Sequence, residues 1–176
     1  RRDVRRVRGL KVAMRTLPIR IRPLPGESLD SWLETIAERM DTTWGDLVEG
    51  IGLASRHEQR RRDYVAAALR GLSVSQLAAV SHSTGVDADV LQSMTFSALL
   101  GQATGSAGVR SAPPNSLLWL RGFGSRYCAP CLGESGGRWL LWWRLRWAFA
   151  CERHRCLLQD LCPDCQRTQR TEPAPS

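Results

Sequence analysis

The chain of 176 residues has no apolar run long enough to cross a bilayer. The longest, Trp139 to Cys151, falls short of the ~20 residues a spanning helix needs and is interrupted by Arg144 and Arg146. The basic N-terminus runs into Pro18, Pro23 and Pro25 without an apolar core or a small-residue cleavage site, so the pattern of a secretory leader is missing. A cytoplasmic protein without membrane contact is expected. No cysteine precedes residue 128, and all six lie between 128 and 165; in a reducing compartment such closely spaced thiols bind metal more readily than they form disulfides. There is no His-Glu-x-x-His arrangement, and the carboxylates near the cysteines (Glu134, Glu152, Asp160 and Asp164) do not form one, which argues against a zinc hydrolase. What is present, 43% hydrophobic residues, suffices for a packed core and excludes a wholly disordered chain.

Charge is unevenly distributed. The formal net charge is +8, and residues 1–22, with nine basic residues and one acid, carry all of it. Residues 23–116 are acidic on balance and 117–167 basic, and the second stretch holds all the cysteines and five of the seven tryptophans, which predicts a change of architecture near residue 115. Residues 1–26 then read as a basic, proline-punctuated arm, either a solvated tail or a nucleic-acid-binding segment.

From Ser28 onward Leu29, Trp32, Leu33, Ile36, Ala37 and Met40 recur every three or four positions, predicting a helix with Ser28 at its N-cap. Asp41, Thr42 and Thr43 close it and can cap a second, whose apolar face is Trp44, Leu47, Val48 and Ile51 and whose stop is Gly50 and Gly52. A third helix is predicted over 58–69. Residues 73–83, with Val74, Leu77, Ala78 and Val80 inward, and 87–100, with Val90, Leu91, Met94 and Phe96, form a second pair joined at Gly85. The expected fold class is mainly α: a helical, helix-turn-helix-like domain over 27–100, a Gly/Ala/Ser-rich linker over 101–115, a small zinc-finger, zinc-ribbon-like module over 116–168 and a tail over 169–176. A groove-reading helix needs basic or amide side chains at its start. Here the second helices offer Asp46 and Glu49, and Asp87 and Asp89. Core helices with acidic, protein-docking faces are therefore expected, and Arg60, Arg61 and Arg62 are the one basic run in this half, a nucleic-acid contact or a solvated helix face.

The strongest pattern is Cys128-Ala-Pro-Cys131 followed by Cys151-Glu-Arg-His154. Two thiolates two residues apart converge on one ion, and a second two-ligand element completes the tetrahedron that Zn²⁺ prefers. With Cys128, Cys131, Cys151 and His154 filling all four positions the site is structural, since a catalytic zinc keeps one for water. A second knuckle, Cys162-Pro-Asp-Cys165, has no matching pair after it. Cys156 could supply a third ligand to an incomplete site, the pair could bind nothing, or another ligand pair could follow; the last is the favoured expectation. Cys156 itself, before Leu157 and Leu158, reads as a buried thiol, while His57 and His82 have no partners and are assigned no role. The Trp/Arg run between the ligand pairs reads as the module's small core, with base stacking and phosphate contacts from Arg144 and Arg146 as the alternative.

Taken together, Leu24-Pro-Gly-Glu-Ser-Leu-Asp-Ser-Trp-Leu33, then Arg126-Tyr-Cys-Ala-Pro-Cys-Leu132, the Trp/Arg run, Trp147-Ala-Phe-Ala-Cys-Glu-Arg-His154 and Cys162-Pro-Asp-Cys165 resemble the TniQ family. This family includes the TnsD-type target selectors of bacterial transposons. The resemblance implies a non-enzymatic transposition accessory protein that helps choose the insertion target and recruits an AAA+ ATPase regulator, which in turn recruits the transposase. Some relatives recognise DNA directly; others sit on an RNA-guided CRISPR effector complex and form homodimers. Cys128, Cys131, Cys151 and His154 fall on the family's zinc-ligand motif, and Cys162 and Cys165 on the start of a second, beyond which many members continue with further zinc-binding and helical sequence. The competing expectation is a zinc-containing helix-turn-helix transcriptional regulator that binds an operator by itself.

Overall fold

The structure, a computed structural model, describes residues 16–54, 69–98, 120–121 and 124–171. The predicted helix over 58–69, apart from its last residue, Arg60, Arg61 and Arg62, His57 and the 101–115 segment lie outside those residues. Among the described residues the fold is mainly helical, with five α-helices, one 3-10 turn and a two-stranded sheet.

α1 (Leu29–Arg39) forms where the periodicity places it and buries Leu29, Trp32, Leu33, Ile36 and Ala37. Ser28 occupies the N-cap position, but its hydroxyl makes no capping bond to the backbone. The helix start is held from outside: the Leu29 N–H donates to the Met94 carbonyl (3.1 Å) and the Ser28 N–H to the Trp139 carbonyl (2.9 Å). α2 (Trp44–Gly50) is capped by Thr43, which accepts from the Asp46 N–H and packs against α1. α3 (Val74–Thr84) opens on a complete capping box of Ser73 with Gln76 and closes on Gly85 in the left-handed region. α4 (Ala88–Ser93) packs against it.

The buried face of α3 and the course of the next helix, where Val90 is 40% exposed, differ from the sequence reading. Val74 is 85% exposed and Ala78 exposed, while Ala79 and Val80 face inward. A helix of Ala, Ser and Val has little apolar contrast around its circumference, so its neighbours, including the Leu53 carbonyl that accepts from Gln76 Nε2 (3.0 Å), choose the buried face. The helix predicted over 87–100 breaks at Met94 and Thr95 and turns helical again at Phe96. Thr95 Oγ1 donates to the Gln92 carbonyl (2.7 Å), a local bond that competes with the helix ladder, and the Met94 carbonyl is turned to α1.

The proline-punctuated stretch before α1 is seated on the fold. The Leu17 N–H donates to the Ser83 carbonyl (2.8 Å), Trp32 Nε1 donates to the Ile21 carbonyl (2.9 Å), and Leu17 and Ile21 pack on the core.

In the cysteine-rich part, α5 (Ala129–Ser135) follows Cys128, a 3-10 turn covers Leu141–Arg144, and β1 (Ala150–Cys151) pairs antiparallel with β2 (Cys156–Leu157), setting Cys151 opposite Cys156. Single bridges tie the rest: Tyr127 to Gln159, Ser125 to Gln169 and Leu161 to Thr168. Gly124 makes the second possible. Its φ is +65°, and a Cβ there would stand 2.3 Å from Thr168 Cγ2 and 2.8 Å from the Gln169 carbonyl oxygen.

The core runs through both compositional halves. Leu29, Trp32, Leu33, Val48, Val80 and Leu91 share one apolar cluster with Tyr127, Leu141, Trp143, Leu145, Ala148 and Leu158. Leu140 bridges to Glu27 across this junction, so the change in composition near residue 115 is not a break in the core.

Candidate metal centre

Cys128 caps α5, and the Cys-x-x-Cys spacing sends Cys131 back beside it after the first helical turn. The β1–β2 turn supplies the other half, with Cys151 at its start and His154 near its tip. Arg155, at φ +49°, makes the reversal. The His154 Nδ1 lies 3.4 Å from Cys128 Sγ, 3.2 Å from Cys131 Sγ and 3.6 Å from Cys151 Sγ, and the Cys131 and Cys151 sulfurs are 3.6 Å apart. All four donor atoms lie within 4.8 Å of one another. Metal bonds of about 2.3 Å to sulfur and about 2.0 Å to nitrogen imply tetrahedral edges of about 3.8 Å and about 3.5 Å. The donors therefore fit one four-coordinate ion.

Electrostatics point the same way. Burial pushes the Cys128 thiol up to about 12 and raises Cys131 as well. Burial acts in the same direction on Cys151, but the backbone N–H and the ring of His154 outweigh it and lower that thiol to about 7. Three crowded thiols do not all ionise readily in this setting, and a divalent cation among them would supply the missing charge. The outer nitrogen of His154, Nε2, meets Glu134 Oε1 at 3.0 Å, and Arg153 holds the other carboxylate oxygen at 2.6 Å. A carboxylate on the far ring nitrogen leaves Nδ1 free to bind and orients the ring.

Four of the residues expected as metal ligands thus converge. Cys162 and Cys165 form a similar turn, with the Cys162 N–H donating to the Arg167 carbonyl (3.0 Å) and Gln166 at φ +55°. Among the described residues no third His, Cys, Asp or Glu joins them in a metal-compatible group. Cys156, expected as a buried thiol, is half-buried, and its sulfur lies 3.7 Å from that of Cys128.

The arginines of the Trp/Arg run divide. Arg144, a nucleic-acid candidate in the sequence, is turned inward: its guanidinium bonds Asp30, and its side chain is 14% exposed. That ion pair binds the run to α1. Arg146 is exposed and donates to the Leu120 carbonyl (2.9 Å). Trp143 is fully buried, whereas Trp147 and Phe149 are exposed; they border an apolar groove of about 820 Å³ beside the centre, together with Leu24, Leu140, Trp142 and Arg153.

Several important side chains carried no signal in the sequence. Glu27 is wholly buried on Arg138. Asp30 takes both Arg144 and Arg170, and Arg170, in the predicted tail, also holds Glu34 (2.6 Å) and lies over the Trp139 ring (5.3 Å). Glu134 was the one that spacing could have found, since it stands one helical turn after Cys131.

Among the described residues no helix is long and apolar enough to cross a membrane. No curated protein matches the chain. The TniQ family model matches residues 18–158, which include α1 to α5, the 3-10 turn, both strands and all four candidate ligands. With most of its length matched, the chain belongs to the TniQ family.

Proposed function

We propose that the chain is a transposition-associated accessory protein that acts as a non-catalytic adaptor: it helps select the DNA insertion target and recruits an AAA+ ATPase regulator. The ion in its metal centre is Zn²⁺, serving structure. The observation that carries this reading is a closed donor set, three sulfurs and one imidazole nitrogen at tetrahedral spacing, within a chain of the TniQ family. A hydrolytic zinc needs a position for water, and all four positions have a protein donor here.

Two surface features support an adaptor. Trp147 and Phe149 stand exposed at an apolar groove on a centre built to be rigid, and exposed aromatic residues of this kind suit protein contact. Asp46, Glu49, Asp87 and Asp89 are exposed on α2 and at the start of α4, where carboxylates would face phosphate if either helix entered a major groove. These acids weigh against the helix-turn-helix regulator. DNA is then met weakly or through a partner, and an RNA-guided effector complex or a second copy of the chain is a further partner this reading admits.

The test mixes the zinc-loaded chain with an AAA+ ATPase transposition regulator and with DNA. Co-elution with the ATPase, and DNA binding that is weak, steeply salt-dependent and indifferent to sequence, is expected. Tight selection of a palindromic operator without ATPase association overturns the adaptor and favours the regulator.

A further inference from the structure

A fifth donor atom, a sulfur, lies beside a centre that has four places. Cys128, Cys131, Cys151 and His154 fill them, and the fifth donor is Cys156. Its sulfur stands 3.7 Å from Cys128 Sγ, the same spacing within 0.1 Å as the 3.6 Å between Cys131 and Cys151, which share the ion. That is the edge expected for two thiolates on one tetrahedral ion; Cys156 does not lie within 4.8 Å of all four donors, so its side chain must turn to join them. The placement is fixed by the fold, because the β1–β2 ladder sets Cys156 directly across from the ligand Cys151. Cys156 is also half-buried against the centre, unlike the exposed Cys165.

The ligand nearest Cys156 in sequence is His154. The outer nitrogen of His154 is held by Glu134, an exposed carboxylate shared with Arg153. A single residue separates His154 from Cys156, and that residue, Arg155, is in the left-handed region at φ +49°, which an L-residue with a Cβ adopts at a cost. Rotation at Arg155 moves His154 in the turn while the ladder keeps Cys156 opposite Cys151.

We propose that Cys156 is a reserve ligand: it takes the fourth position when His154 leaves, converting the centre from three thiolates and an imidazole to four thiolates. His154 departs as neutral imidazole, the Cys156 thiol gives its proton to solvent, and the thiolate binds in the vacated place. No electron is transferred. The exchange keeps the centre closed and its ion retained when partner contacts or local opening pull on the exposed His154 turn. It rests on the metal assignment made above.

The test uses the full chain stripped of metal and titrated with Co²⁺, whose charge-transfer intensity per bound ion reports the number of thiolates. The wild-type chain is expected to bind with a three-thiolate spectrum; if it binds no Co²⁺, the metal assignment itself fails. In His154→Ala the charge-transfer intensity per ion is expected to rise by about one third, as three thiolates become four, and in His154→Ala/Cys156→Ala to fall back with weaker binding. Identical spectra and affinities for those two variants overturn the proposal. Should His154→Ala fail to fold, Cys156→Ala and Cys156→Ser, which leave all four primary ligands in place, decide the matter through zinc release to a chelator. Both are expected to release zinc about tenfold faster than wild type. Release unchanged in either, or restored by serine, which keeps a hydrogen-bonding group but not the soft donor, overturns it.

Discussion

Arg138 grips the wholly buried carboxylate of Glu27 with two N–H donors across 111 residues of sequence. The same carboxylate accepts from the Leu24 N–H (2.9 Å) and from the Ser31 hydroxyl (3.0 Å), and that serine in turn accepts from the Trp139 N–H (2.8 Å). The two sequence blocks that mark this family are therefore two sides of one joint: the segment from Leu24 to Leu33 is the socket in which the Trp/Arg run sits. The joint couples the helical part to the metal centre, because the run leads from α5 directly into β1.

Removing one partner of a buried pair leaves the other charged and unsolvated, at a cost of about 3–5 kcal/mol. Glu27→Gln and Arg138→Leu are each expected to lower stability by about that much in urea denaturation followed by tryptophan fluorescence. Replacing both together with apolar residues should cost less than the sum of the two. Additive losses would mean that the two side chains act independently.

Acid should loosen the same joint through Asp30. Burial by itself would raise this carboxyl, but the Arg170 and Arg144 guanidinium groups override it and hold it well below the usual carboxylate range. A group whose pKa is depressed on folding contributes stability that is complete above its unfolded pKa, about 4, and is lost as pH falls through the folded value. Stability should accordingly decline below about pH 4, and Asp30→Asn should flatten that decline while lowering stability at neutral pH. Melting temperatures taken between pH 2 and pH 7 measure both effects; an equally steep acid limb in the variant would exclude Asp30 as its source.

The legible parts of the molecule were those where one property repeats with a fixed spacing. α1 was readable because Trp32, Leu33 and Ile36 contrast sharply with Asp30, Glu34 and Glu38, and the ligand set because two residues separate each pair of donors. The buried face of α3 was not readable, since Ala78 and Ala79 are chemically the same and only their neighbours distinguish them. Arg144 read as a phosphate contact and Arg170 as part of a tail because nothing local marks their partner, Asp30, which lies 114 and 140 residues away. Cys156 was assigned by its apolar neighbours in sequence; its actual neighbour, Cys128, is set by a strand register that no spacing rule reveals.

Because the core and the ion pairs cross residue 115, loss of metal should not stay local. Cys128→Ser, or treatment with a strong chelator, is expected to raise hydrogen exchange in α1, at Leu33, Ile36 and Ala37, as well as around β1 and β2. A structural zinc in a small module supplies on the order of 10 kcal/mol of folding free energy, more than the ~5 kcal/mol by which many domains exceed unfolding. Exchange confined to 124–171, with α1 fully protected, would show that the helical part stands without the metal centre.

Glu134 offers a gentler probe of the centre, since it touches the ion only through His154. Its carboxylate meets Nε2 of the ring at 3.0 Å and is itself lowered from its ordinary pKa by that hydrogen bond. Partners of this kind fix the ring and raise its basicity, and their loss typically weakens metal affinity by about 10–100-fold. Glu134→Ala should therefore bind zinc more weakly by that factor in competition with a chromophoric chelator. Glu134→Gln, which keeps an acceptor for the ring N–H without the charge, should lose less. Arg153→Ala, which leaves the Glu134–His154 contact in place, should lose least. This ordering separates ring orientation from surface charge: if net charge near the centre governed affinity, removing the positive Arg153 would tighten cation binding and removing the negative Glu134 by either substitution would weaken it equally.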